Sequence, residues 1–293
     1  MDFKEILEGE NKVILKGVKN FELPHIFECG QCFRWNKEQN GNYIGVAFKR
    51  VIEVEKKGDE VTIYNTNLKD FNEIWIDYFD LKRDYSEIKE KFKEDELLNT
   101  AVRFGHGIRL LQQESFELLI SFIISANNRI PMIKRAIENI SRIYGNPLEY
   151  KGKIYYSFPT LEEFQLSNEE EGNALGVGFR AKYIRQTLED LKAGKYNLQV
   201  IKSGSDDECH KALQCFSGVG PKVADCIMLF SMGKYSAFPV DVWVKRAMQH
   251  FYVAPDVSLP KIREFARNKF GELSGFAQQY LFYYARENNI KID

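Results

Sequence analysis

The sequence predicts an α+β protein in which an antiparallel, strand-rich N-terminal part precedes a longer and mostly helical part. Three observations lead there. Short runs of alternating apolar and polar residues fill the first part; from about Leu68 the apolar spacing lengthens to a helical period; and residues 115 to 126 are apolar on nearly every face, which marks a central buried helix. At 293 residues the chain exceeds one small domain, so units sharing buried surface are expected, with residues 1–96 forming the sheet domain and residues 97–293 the helical one.

The strands are read from Tyr43-Ile44-Gly45-Val46, Val51-Ile52-Glu53-Val54 and Val61-Thr62-Ile63-Tyr64. Gln39-Asn40-Gly41-Asn42 and Lys57-Gly58-Asp59 supply turn chemistry between them. In the helical part, Ser205-Asp206-Asp207-Glu208 is a capping box from which a helix should run to about Phe216. Ser217-Gly218-Val219-Gly220 breaks it, and Pro221 suits the first position of a second helix reaching about Met232. Residues 206 to 232 thus read as a helix, a tight hairpin and a second helix. Glu169-Glu170-Glu171 reads as a solvated surface run.

Composition narrows the function classes. Hydrophobic residues at 44% and only 8 prolines describe a globular chain rather than a disordered one. The longest apolar run, Leu118 to Ile124, is well short of the ~20 residues of a membrane span, and Met1-Asp2-Phe3-Lys4-Glu5 lacks the order of a signal peptide, so a cytoplasmic protein is expected; a monomer is expected as well. Five cysteines, an odd number, argue for free thiols. Cys29 and Cys32 have no second close pair, and no metal or other cofactor is expected. The net charge of −1 divides unevenly, −5 over residues 1–96 and +4 over residues 97–293, so a nucleic acid would engage the second part.

The hairpin gives that engagement a chemistry. Glycines permit close backbone approach, and the N–H groups opening the second helix can hold a phosphate without reading sequence. Gly218, Val219 and Gly220 are the candidate backbone contacts, with Lys245 and Arg246 beside them; Arg129, Lys134 and Lys182 are further candidates. Lys222 lies in the first helical turn, where the positive end of the helix dipole disfavours a second cation and favours the free amine that covalent attack at a sugar carbon requires. Nineteen residues on, Asp241 caps a helical stretch from Val242 to about Phe251, and its carboxylate can stabilise positive charge developing on a sugar as its base departs.

At this point the chain resembles a known superfamily. Leu213-Gln214-Cys215-Phe216-Ser217-Gly218-Val219-Gly220-Pro221-Lys222-Val223-Ala224-Asp225, followed by Phe238-Pro239-Val240-Asp241-Val242, resembles the helix-hairpin-helix DNA glycosylases. Gly30-Gln31-Cys32-Phe33-Arg34-Trp35, Ser121 to Asn128, Leu175 to Tyr183 and Gly275-Phe276-Ala277-Gln278 resemble the 8-oxoguanine DNA glycosylases among them. The resemblance implies that residues 97–293 form a two-subdomain glycosylase core, that the partner is duplex DNA containing 8-oxoguanine, and that the damaged nucleotide is flipped out of the stack. It implies further that Lys222 is the nucleophile and Schiff-base former, Asp241 its electrostatic partner, and β-elimination the step that cuts the strand. Phe282 and Cys226 match the residues that sandwich the extruded base, and Gln278 the amide on its Watson-Crick edge. Gly30 matches the glycine whose carbonyl accepts the N7–H of 8-oxoguanine. Asn127, Phe179 and Arg180 match residues that fill the gap and touch the estranged base.

Departures from the family pattern are specific. Phe179 stands for a tyrosine wedge, Trp243 for a histidine, and Met132 for one of two arginines at the estranged cytosine, so a relaxed opposite-base preference is expected. Two other readings of the same residues stay open: a helix-hairpin-helix glycosylase for another damaged or mismatched base, and a non-catalytic module that only binds DNA.

Overall fold

The computed structural model describes residues 1–290. Six strands, β1 (Glu5–Gly9), β2 (Lys12–Lys16), β3 (Trp35–Lys37), β4 (Tyr43–Ala47), β5 (Arg50–Lys57) and β6 (Glu60–Tyr64), form one antiparallel sheet in the order β1-β2-β6-β5-β4-β3. Period-two alternation sets the register. Leu15 faces Val61 and Val54 faces Ile63, so one face of the sheet buries Val13, Leu15, Ile52, Val54, Val61 and Ile63 beneath Trp35, Trp75 and Phe79. Both expected turns are present, with Gly41 and Gly58 at positive φ.

The opposite face of β4 and β5 is also apolar, and its cover was not expected. Ile44, Val46 and Val51 pack against Leu148, Tyr150 and Tyr155 from a second hairpin, β7 (Pro147–Tyr150) and β8 (Lys153–Tyr156), which lies within the otherwise helical part. The two parts are therefore joined by a sheet-on-hairpin contact.

Helices α1 (Glu96–Phe104), α2 (Ser115–Ser125), α3 (Ile130–Tyr144), α4 (Ala181–Lys192), α5 (Asp206–Leu213), α6 (Pro221–Ser231), α7 (Val242–Phe251), α8 (Leu259–Phe270) and α9 (Ser274–Glu287) are the main helices of the second part, with shorter ones between them. As its sequence requires, α2 is buried at every position from Leu118 to Ile124. It packs against α6, while α9 packs against α1 and α7. Among the described residues no helix is long and apolar enough to cross a membrane. Glu171, read as part of a solvated run, is employed instead: it accepts hydrogen bonds from the Tyr144 hydroxyl and the Ser167 amide, tying the helix Glu169–Leu175 to α3.

Where the sheet domain meets the helices, Arg109 is fully buried. Its Nη1 donates to Asp2 Oδ2 at 2.6 Å, its Nε to the Phe79 carbonyl at 2.8 Å, and its guanidinium carbon lies 4.1 Å from the Tyr85 ring centre. Removing one partner of such a pair leaves a buried charge without compensation. Arg109→Leu is expected to lower unfolding free energy by ~3–5 kcal/mol, read from urea denaturation. A loss below about 1 kcal/mol would mean that Asp2 finds water or another donor.

Candidate active site

The hairpin forms as its residues dictate. Ser205 Oγ accepts the Glu208 amide at 3.4 Å while Glu208 Oε2 accepts the Ser205 amide at 2.9 Å, completing the capping box. The helix ends at Leu213, three residues before Phe216, because Phe216 and Val219 close turns onto Leu213 and Phe216 rather than continuing it. Gly218 holds φ at +82°, and a Cβ there would lie 2.9 Å from the Tyr183 ring, so both strain and contact demand glycine. Gly220 is extended and caps α6, with Pro221 at its start. Val219 is buried and spends its amide on Phe216, which leaves Gly218, Gly220 and the first amides of α6 as the parts of the hairpin suited to a phosphate.

Lys222 stands in the first turn of α6, half-buried, with Nζ 5.5 Å from the centre of the Phe122 ring. Asp241 caps α7, accepting the Val244 amide at 2.8 Å. Burial pushes the Asp241 carboxyl above its ordinary range, opposed by the Val244 amide and the positive charges of Lys222 and Arg286. Cys226 lies one turn beyond Lys222 on the same face, and burial pushes its thiol up to about 11, so it remains neutral.

These groups line one cavity of about 250 Å³, together with Gly30, Gln278 and Phe282. All six residues assigned from sequence to catalysis or base binding thus converge from four separate segments. The volume falls just below the usual range of small-ligand sites, so the cavity admits one compact group rather than an extended ligand. Gln278 donates through Nε2 to the Pro239 carbonyl at 3.2 Å, while its Oε1 is buried without a partner among the described residues. A buried acceptor that the protein leaves unpaired is open to a donor from a ligand or a water molecule. Gly30 sits at φ +80°, and a Cβ there would lie 3.1 Å from Phe282 Cε1, so loop and ring are in close approach. A larger open groove near α1 gathers Asp95, Tyr252 and Lys269, but these pair with one another and present no nucleophile.

Sequence reasoning missed several lining groups, notably Phe122, Asn128, Gln279 and Arg286. Arg286 was legible only as a helical neighbour of Phe282, four residues on, and its guanidinium carbon is 5.2 Å from that ring centre. The residues expected at the opposite base lie outside the cavity. Met132 and Phe179 are exposed, and Asn127 takes φ +50°. Arg180 is buried, bonding through Nε to the Ala126 carbonyl at 2.8 Å and through Nη2 to the Asn127 carbonyl at 2.8 Å, with Phe179 stacked on it. It braces the Asn127 turn. Lys134 is likewise engaged internally, donating to the Trp35 carbonyl at 2.6 Å. Lys245 and Arg246 are half-buried on α7, Arg246 over the Trp243 ring at 4.9 Å.

Comparison with known proteins agrees with this geometry. Residues 13–119 match the N-terminal domain of 8-oxoguanine DNA glycosylases, and residues 120–272 match the HhH-GPD superfamily of base excision DNA repair proteins. An N-glycosylase/DNA lyase of Arabidopsis thaliana is 32% identical over 89% of this chain and 76% of its own length. A probable N-glycosylase/DNA lyase of Methanothermobacter thermautotrophicus is 36% identical over 73% of this chain and 75% of its own. The 8-oxoguanine glycosylase/lyase of Clostridium acetobutylicum, solved with duplex DNA containing cytosine opposite 8-oxoguanine, is 61% identical and superposes with a TM-score of 0.97 over 99% of this chain and 100% of its own. With both of its parts matched and its Lys222–Asp241 cavity between them, this chain belongs to the 8-oxoguanine DNA glycosylases of the HhH-GPD base excision repair superfamily.

Proposed function

We propose that this protein is a bifunctional DNA glycosylase and lyase that excises 8-oxoguanine from duplex DNA and then cuts the strand. The observation that carries the reading is the cavity that joins Lys222 and Asp241 to the unpaired Gln278 Oε1 and the Gly30 loop. A base reaches such a cavity only by leaving the stack. It would lie between Cys226 and Phe282, with its Watson-Crick edge on Gln278 and its N7–H on the Gly30 carbonyl.

Lys222 Nζ forms a bond to C1′ as the bond to the base nitrogen breaks, and the electron pair leaves with the base. Asp241 stabilises the positive charge on the sugar during this exchange. The ring opens as the C1′–O4′ bond breaks and a proton passes from the Lys222 nitrogen to O4′, giving the protonated Schiff base; this acidifies the C2′ hydrogen, and once water has taken that proton the electrons of the C2′–H bond expel the 3′ phosphate. The hairpin, Lys245 and Arg246 hold the DNA backbone.

Asn127, Met132 and Phe179 form the rim that meets the opposite base, and Arg180 braces that rim from behind through the Ala126 and Asn127 carbonyls. A bidentate arginine contact is worth roughly 1 to 3 kcal/mol of base discrimination, and a thioether offers no donor to replace one. Met132 therefore relaxes the choice of opposite base. Single-turnover excision from duplexes with cytosine, adenine, guanine or thymine opposite the lesion tests this, alongside a panel of other lesions and borohydride trapping. We expect 8-oxoguanine to be the preferred lesion, and Met132→Arg to raise cytosine selectivity by about 5- to 150-fold. Strong cytosine selectivity in the wild type, unchanged by Met132→Arg, would remove Met132 from the readout. Excision of a different lesion in preference would overturn the substrate.

A further inference from the structure

We propose that Gln279 and Arg286 are positioning residues for lesion recognition, clamping the loop around Gly30 so that one carbonyl alone is left to read the base. The inference rests on the proposed substrate. It comes from the fate of four consecutive carbonyls. Glu28 O accepts Arg286 Nη2 at 2.5 Å, Cys29 O accepts Gln279 Nε2 at 2.6 Å, and Gln31 O accepts Gln113 Nε2 at 2.8 Å. Gly30 O accepts no hydrogen bond among the described residues, and Gly30 lines the cavity.

Such a pattern matters because glycine is permissive. With φ at +80° and no Cβ, the peptide planes beside Gly30 can turn at little cost unless their neighbours are held. A lesion with an N7–H offers the carbonyl a donor; undamaged guanine presents a lone pair, and the two acceptors repel. Discrimination by that repulsion requires a carbonyl that cannot rotate away. Gln279 is 1% exposed and Cys29 fully buried, so the central clamp is shielded from competing water. Gln279 and Arg286 lie two turns apart on one face of α9, and Arg286 also stacks on Phe282, so one rigid helix sets both the reading carbonyl and the wall of the base site.

The test uses Gln279→Leu and Arg286→Met, which keep approximate volume and remove the donors, and Arg286→Lys, which keeps a donor. Two activities are measured on each full-length variant: single-turnover excision of 8-oxoguanine, and cleavage of a duplex carrying a preformed abasic site, which needs Lys222 but no base. Binding to 8-oxoguanine and guanine duplexes is compared in parallel. Loss of one clamp is expected to lower excision, and the preference for 8-oxoguanine over guanine in binding, by up to about tenfold. Abasic-site cleavage should be unchanged in Gln279→Leu, which alters no charge, and in Arg286→Lys, which keeps the positive charge that faces Asp241; Arg286→Lys should also recover most of the excision. If excision and abasic cleavage fall together in Gln279→Leu, or if excision and the binding preference persist in both donor-free variants, the positioning role is overturned while the proposed function stands. A wild-type protein that cleaves abasic sites but ignores 8-oxoguanine would overturn both.

Discussion

Lys222→Gln is expected to abolish base excision and borohydride trapping while leaving affinity for damaged duplex within a few-fold of wild type. The substitution shortens the side chain by one atom and replaces the amine with a carboxamide that is neither basic nor nucleophilic. The features that suit the hairpin to a phosphate belong to the backbone, to Gly218, Gly220 and the opening amides of α6, and a change at the second residue of that helix leaves them in place. The cavity also keeps Gln278 with its unpaired Oε1, so the base retains its recognition groups. Gel-shift titration and trapping with 8-oxoguanine duplex, run on the same preparation, separate the two effects. Trapping at the wild-type level in the variant would require another nucleophile; loss of binding with activity would mean that Lys222 chiefly holds phosphate.

The parts of this site that the sequence made legible are those where local chemistry fixes local geometry. Ser205 and Glu208 cap a helix by contacts within one turn, Gly218 and Pro221 restrict their own backbone, and Asp241 caps the helix that follows it. Each can be read from a few neighbouring residues. The resemblance then supplied what spacing could not, the assembly of Gly30, Cys226, Gln278 and Phe282 around Lys222 and Asp241. What escaped notice depends on partners remote in the chain. Gln279 bonds to a carbonyl 250 residues away, and Gln113 to one 82 residues away. The β7–β8 hairpin is too short to stand out, and its role depends on an apolar sheet face that alternation alone would leave to solvent. The turn between β4 and β5 gave no signal because Phe48 and Lys49, rather than Gly or Asn, occupy positive φ there. Arg180 shows the same limit at the site itself: the resemblance matches it to a base contact, whereas two of the three backbone carbonyls it bonds, those of Ala126 and Asn127, belong to a segment remote in the chain.

Asp241→Asn is expected to lower excision by on the order of 10² while stabilising the fold at neutral pH. The two effects have one cause. Burial raises the Asp241 carboxyl above its ordinary range, so holding it ionised in the cavity costs free energy that the Val244 amide and Lys222 only partly offset. Asparagine keeps the cap, since its side-chain oxygen can accept the same Val244 amide, and it carries no charge to desolvate. The sign follows from linkage: the folded state holds the proton to higher pH than the unfolded chain, so this group's contribution to stability falls as pH rises from the unfolded to the folded pKa. Removing the carboxyl removes that slope. In catalysis the ionised form is the one required, so wild-type single-turnover excision should lose rate on acidification at a higher pH than an ordinary aspartate would dictate, and the residual rate of Asp241→Asn should lack that limb. Thermal unfolding at several pH values and pH profiles of excision on both proteins check the pair of effects. A variant of near-normal rate would reduce Asp241 to a helix cap, and one of low rate and lower stability would mean that its charge is favoured by the cavity rather than strained within it.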